Sequence, residues 1–172
     1  MTQQPRPRDP GHARDGNALI LSLRARTALP FLAIGGVCVI AGGLLAAVTA
    51  HAPSQKATWA AAYLVLVAGV AQILLGAGQA WLAEQRPSPR WFLGELTAWN
   101  LGNAAVMVGA VAMVTPVTDV GGVLLVVALV LLLMAVRGSR RRGWLLALYR
   151  VLIAIVLVSI PIGLVLAEVR AA

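Results

Sequence analysis

One acid, one cation and several amides stand in stretches that otherwise read as lipid-soluble. WFLGELTAWNLGN, residues 91–103, carries Glu95, Asn100 and Asn103, and AQILLGAGQ, residues 71–79, carries Gln72 and Gln79. Arg150 interrupts WLLALYRVLIAIV, residues 144–156. A carboxylate inside an apolar helix can hold a proton or cation, or can be neutralised by a nearby guanidinium. Amides can bridge neighbouring helices or line a polar path. A second group, His51, Trp59 and Tyr63, lies in HAPSQKATWAAAY, residues 51–63. An imidazole there could shuttle a proton, although the same residues also suit the aromatic belt of a membrane interface.

Little else in the chain could do chemistry. There is no phosphate-binding loop, no His/Glu metal pair, and no serine or cysteine beside a base, so no enzyme, catalytic residue or cofactor is expected. His12 and His51 are the only histidines, too few for a zinc site or a bis-histidine haem. Cys38 is the single cysteine and sits in an apolar run, where a buried structural thiol is expected and no internal disulfide is possible.

The elements that position these residues follow from composition. Of 172 residues, 60% are hydrophobic and 12% charged, too little charge for a soluble surface. The expected class is an all-α integral membrane protein. About 20 apolar residues cross a bilayer, and five stretches qualify: 29–50, 57–82, 91–114, 120–136 and 144–167. The connections HAPSQK, EQRPSPR, TPVTD and RGSRRR are short, so consecutive helices must run antiparallel. Residues 29–172 thus form a five-helix transmembrane domain. Residues 1–28 form a basic, largely disordered cytoplasmic tail, in which 18–28 have the pattern of a short surface helix.

Charge sets the expected direction. In this five-span arrangement Arg6, Arg8, Arg14, Arg24, Arg26, Arg86, Arg90, Arg137, Arg140, Arg141 and Arg142 fall on one side. Lys56 and Arg170 fall on the other. By the positive-inside rule the N-terminus is cytoplasmic and the C-terminus outside. The arginine run between the last two spans then meets anionic lipid headgroups rather than nucleic acid. VTAHAPS, residues 48–54, offers small residues of the kind found at signal cleavage sites, but the apolar run before it is too long for a signal core, so an uncleaved first span is expected.

In lipid, packing seams are marked by small residues. The first span has Gly42, Ala46 and Ala50 in register, beside Gly35, Gly36 and Gly43; the second has Gly69, Gly76 and Ala80; the third has Gly102 and Gly109. VLLVVALVLLLMAV, residues 123–136, is bulky, so the fourth span is expected to be the most lipid-exposed and the first three the packed centre. Helical rise puts Glu95 about 6 Å above Trp91, and Asn100 and Asn103 about 14 and 18 Å above it. Gln72 comes about 14 Å above Trp81, and Arg150 about 9 Å above Trp144. Two layers are expected: the amides at mid-depth, Gln72 meeting the asparagines, and a Glu95–Arg150 ion pair nearer the cytoplasm. Glu95, Asn100 and Asn103 spread over about 140° of helix surface, a broad face rather than a line. Pro161 is expected to kink the last span, with Ser159 covering the freed carbonyl.

In AYLVLVAGVAQILLGAGQ, residues 62–79, and WNLGN, residues 99–103, the chain resembles the small polytopic membrane proteins of actinobacteria. The resemblance implies a multi-pass protein of a bacterial cell (inner) membrane and no particular activity. Two functions fit the residues: an accessory or assembly component docked on a larger membrane complex, and a small oligomeric transporter or channel using Gln72, Glu95, Asn100, Asn103 and Arg150. A cofactor-binding subunit centred on His51 is the weakest alternative. The expected partners are the lipid bilayer and either another membrane protein or a second copy of this chain.

Overall fold

The computed structural model describes residues 10–83, 88–137 and 143–171, with side chains over 25–83, 88–137 and 143–160. These residues form five helices. They are α1 (Pro10–Thr49), α2 (Gln55–Leu82), α3 (Pro89–Ala112), α4 (Thr115–Ala135) and α5 (Trp144–Ala171). Three stretches are long and apolar enough to cross a membrane: Ala25–Thr49, Gln55–Leu82 and Thr115–Ala135. Of the other two expected spans, one falls short. α3 has 24 residues, but Glu95, Asn100 and Asn103 make it too polar, while α5 is apolar over Trp144–Ile160. Residues 10–28, expected as a tail, lie in the same helix as the first span, and that helix continues through Pro30.

Local chemistry sets the ends. Ser54 accepts the Ala57 N–H at 3.2 Å to start α2, and Ser88 accepts the Trp91 N–H at 3.3 Å to start α3, with Pro89 in the first turn. α3 and α4 are joined by only Met113 and Val114. Met113 adopts the left-handed conformation, φ 60° and ψ 37°, and its N–H and that of Val114 both reach Gly109 O. That conformation costs a non-glycine residue about 1 kcal/mol, and here it makes the sharp reversal.

Inside α2, Leu64–Ala71 form π-helix rather than α-helix. The wider turn separates a segment toward the α1–α2 turn, Gln55–Tyr63, termed outer, from one toward the α2–α3 connection, Gln72–Leu82, termed inner. Such segments are rare and cluster at functional positions, and here the segment stands between two polar residues, Tyr63 and Gln72.

The helices pack as two antiparallel pairs, α1 with α2 and α3 with α4, and α5 lies against α4 and the inner end of α2. Glycine makes both pairs close. A Cβ on Gly35 would lie 2.9 Å from Gly69 O, and one on Gly121 would lie 2.8 Å from Gly102 O. A side chain on Gly109 would collide with Thr118. The expected exposure of α4 is corrected. Leu125, Ala128, Leu129 and Leu132, at helical spacing, are buried against its neighbours, while Val123, Val127 and Val130 face outward. α1 is more exposed than α2 and α4, with 17% of its apolar window buried against 44% and 33%. Ala46 and Ala50, expected in its seam, are exposed. Ser159 donates to Val156 O at 2.8 Å, one residue short of the carbonyl that Pro161 leaves unbonded.

Candidate intramembrane polar site

The space between the two helix pairs is filled by large and polar side chains. On α3 the buried positions are Glu95, Trp99, Gly102, Asn103 and Gly109, a stripe at helical spacing that faces α2 and α4. On the inner segment of α2, Gln72, Leu75, Gly76, Gln79 and Ala80 are buried. Two hydrogen bonds tie these helices across the gap. Gln79 Nε2 donates to Glu95 Oε2 at 2.6 Å, with both residues buried. Tyr63 donates its hydroxyl proton to Asn103 Oδ1 at 2.9 Å, and Asn103 Nδ2 donates to Trp99 O at 2.8 Å.

These two bonds bracket a middle tier. Gln72 lies between Tyr63 and Gln79 along α2, and Trp99 lies between Glu95 and Asn103 along α3. Both are 0% exposed. Among the described residues, no protein atom bonds Gln72 Nε2, Gln72 Oε1, Trp99 Nε1 or the second carboxyl oxygen, Glu95 Oε1. Buried polar atoms in this state cost about 1–3 kcal/mol each, so the tier is the least satisfied region among the described residues.

Aromatic side chains close the tier on its inner side. Phe31 of α1 fills the notch over Gly76 and meets Phe92 edge-to-face, with ring centroids 5.7 Å apart. Tyr149 of α5 fills the notch over Gly78 and donates to Leu75 O at 3.1 Å.

The expected clusters form only in part. Glu95 takes Gln79 as its partner, not Arg150. The reason is helical phase: Leu146, Tyr149 and Ile153 make the inward stripe of α5, and Arg150, about 100° further round, is exposed. Asn100 also falls off its stripe, half-buried, and its amide donates to Leu96 O of its own helix at 2.8 Å. The expected meeting of Gln72 with the asparagines does not occur, because Asn103 is taken by Tyr63. At the outer end Trp59 and Tyr63 stack, centroids 5.2 Å apart and planes at 28°, while His51 is exposed in the α1–α2 turn. Among the described residues, no three His, Cys, Asp or Glu side chains come together as a metal site would require.

Sequence reasoning missed Trp99 and Tyr149, which read as ordinary apolar residues, and it grouped Tyr63 with Trp59, on which it stacks, without its bond to Asn103. Gln79 carried a signal, since it lies seven residues from Gln72 and therefore on the same face.

No protein-family model, curated protein or solved structure matches this chain.

Proposed function

We propose that this is a multi-pass protein of a bacterial inner membrane, N-terminus cytoplasmic and C-terminus outside, that acts as a non-enzymatic accessory or assembly component. It docks another transmembrane helix on the outward face of α1. The use of glycine carries this reading. Gly35, Gly42, Gly69, Gly76, Gly102, Gly109 and Gly121 each lie against a neighbouring helix so closely that a Cβ would clash. Gly36 and Gly43 meet nothing within 4 Å. They are seven residues apart and share one face. Gly43 also lines an open groove of about 470 Å³ with Ala46, Thr49, Ala50, Thr58 and Ala62. In lipid, small residues gain stability only where another helix approaches. Most of the other glycines described in the helices are used in that way, so this face suits one helix more. The orientation rests on Arg26, Arg90 and Arg137, which stand at the same end of the antiparallel bundle.

Gentle-detergent purification of the full chain, with mass spectrometry and crosslinking, tests this directly. A partner or second copy should be retained, lost in Gly36→Leu and Gly43→Leu, and kept in Val48→Leu. Recovery of monomeric chain alone, from every mild detergent tried, would count against it.

A second reading is supported by the unpartnered atoms of Gln72, Glu95 and Trp99. They suit a small oligomeric proton or cation transporter in which Glu95 is the binding group. That reading requires flux in liposomes that falls in Glu95→Gln while the amount of inserted protein stays the same. Absence of proton and cation flux in wild-type vesicles would sink it.

A further inference from the structure

We infer that the groove between the inner ends of α4 and α5 is a binding site for one anionic phospholipid, its phosphate held by Arg137 and Arg150 and an acyl chain lying along Val130, Leu133 and Met134. These five residues line a groove of about 450 Å³, a volume typical of ligand sites. Its composition is that of a lipid's two ends. Val130, Leu133 and Met134 are 42%, 37% and 50% exposed, so an apolar wall faces outward. Among the described residues that line it, the two polar ones are both arginines and none is an acid.

Position favours an anion. Arg150 is about 9 Å along α5 from Trp144, within the apolar stretch of that helix. Arg137 follows the last turn of α4, so a long Arg150 side chain reaching toward the interface extends toward Arg137. Among the described residues, the carboxylates are elsewhere. Glu95 is buried and held by Gln79, and Asp119 is in the opposite end of α4. Two guanidiniums at a membrane boundary with no acid beside them among the described residues suit a counter-anion from outside the chain. A phosphodiester is suited to the forked donors of arginine. Free phosphate would satisfy the same donors but leave the apolar wall bare, so the lipid is the better match.

The site rests on the membrane reading, and the two can fail separately. The full chain, purified in neutral detergent, is mixed with phosphatidylglycerol, with phosphatidylcholine of the same chains, or with inorganic phosphate, and retained adducts are counted by native mass spectrometry. Phosphatidylglycerol should be retained in preference to phosphatidylcholine. Arg137→Gln and Arg150→Gln should each reduce retention about fivefold, and Arg26→Gln, on an exposed arginine of α1, should not. Val130→Trp fills the groove with both arginines in place and should also abolish retention, which covers the case where an arginine variant fails to fold. Equal retention of the two lipids, or undiminished retention in the Arg137→Gln/Arg150→Gln double variant, would overturn the site. Inorganic phosphate retained as well as phosphatidylglycerol would likewise overturn it. Chain that washes out of vesicles at alkaline pH defeats the membrane reading itself, whereas chain that stays but does not discriminate lipids defeats only this site.

Discussion

Two kinds of interface hold the helices, and they are built on opposite principles. Within each antiparallel pair, α1 with α2 and α3 with α4, glycine lets the helices approach closely, backbone on backbone at Gly35 and Gly121 and ring on backbone where Phe31 covers Gly76. Between the pairs, backbones stay further apart, and the space is filled by Phe31, Trp99 and Tyr149 and by the polar groups of Gln72, Gln79, Glu95 and Asn103. The first kind gains stability from close dispersion contact. The second kind gains it from a few directional bonds and leaves four polar atoms unmatched. An assembly needs rigid units. A site that binds or moves something needs groups with unused bonding capacity. The glycine seams provide the former and the inter-pair layer the latter.

The largest expected effect breaks a seam. A Cβ on Gly121 would lie 2.6 Å from Val106 N and 2.8 Å from Gly102 O, both main-chain atoms that cannot turn aside. Gly121→Val should therefore cost about 3 kcal/mol, read as a lowered unfolding midpoint in detergent. A wild-type midpoint would mean that α3 and α4 separate without loss, and that the seam is not what holds the pair. Next comes the inter-pair bond. Gln79→Leu leaves Glu95 buried with neither oxygen bonded and should cost about 2 kcal/mol. Adding Glu95→Leu removes the stranded group, so the double variant should recover most of that loss. Additive losses in the double variant would show that Glu95 has another partner and that its bond to Gln79 is incidental.

The third change should act in the other direction. Gln72 is fully buried with neither amide atom bonded by the protein, so Gln72→Leu, similar in size, should raise stability by about 1 kcal/mol. Stabilisation with loss of the protein's cellular role would mark Gln72 as a working group retained at a cost. Destabilisation would mean that the amide is satisfied in the membrane, and the middle tier would then join the glycine seams as ordinary glue.

The all-helical fold and the packed glycines were legible because composition and small-residue spacing act locally. Gly35, Gly42, Gly69, Gly76, Gly102 and Gly109 all stand at seams. What escaped the sequence was phase. Arg150 has the depth to meet Glu95, yet depth says nothing of direction, and Tyr149 takes the inward position beside it. Asn100 was lost to the candidate cluster for the same reason. The π-helical stretch Leu64–Ala71 has no composition that sets it apart, and it changes how Tyr63 is turned relative to Gln72. The exposure of α1 was hidden because an apolar helix reads alike whether a neighbour or lipid covers it.

The smallest effect separates the outer tier from the inner one. Tyr63 joins the layer by two contacts, its ring stacked on Trp59 and its hydroxyl on Asn103 Oδ1. Tyr63→Phe keeps the stack and removes the hydroxyl bond, and Asn103 still donates to Trp99 O. The expected loss is about 0.6 kcal/mol, the usual value of a hydrogen bond between helices in a membrane. Trp59→Ala removes the stack and keeps the hydroxyl bond, so the two variants divide the tier between its contacts. A loss in Tyr63→Phe as large as that of Gln79→Leu would mean that Asn103, like Glu95, cannot tolerate a missing partner. The unmatched polarity of the middle tier would then extend to the outer end of the bundle, and the layer between the pairs would act as one continuous polar column rather than two bonds around an unsatisfied centre.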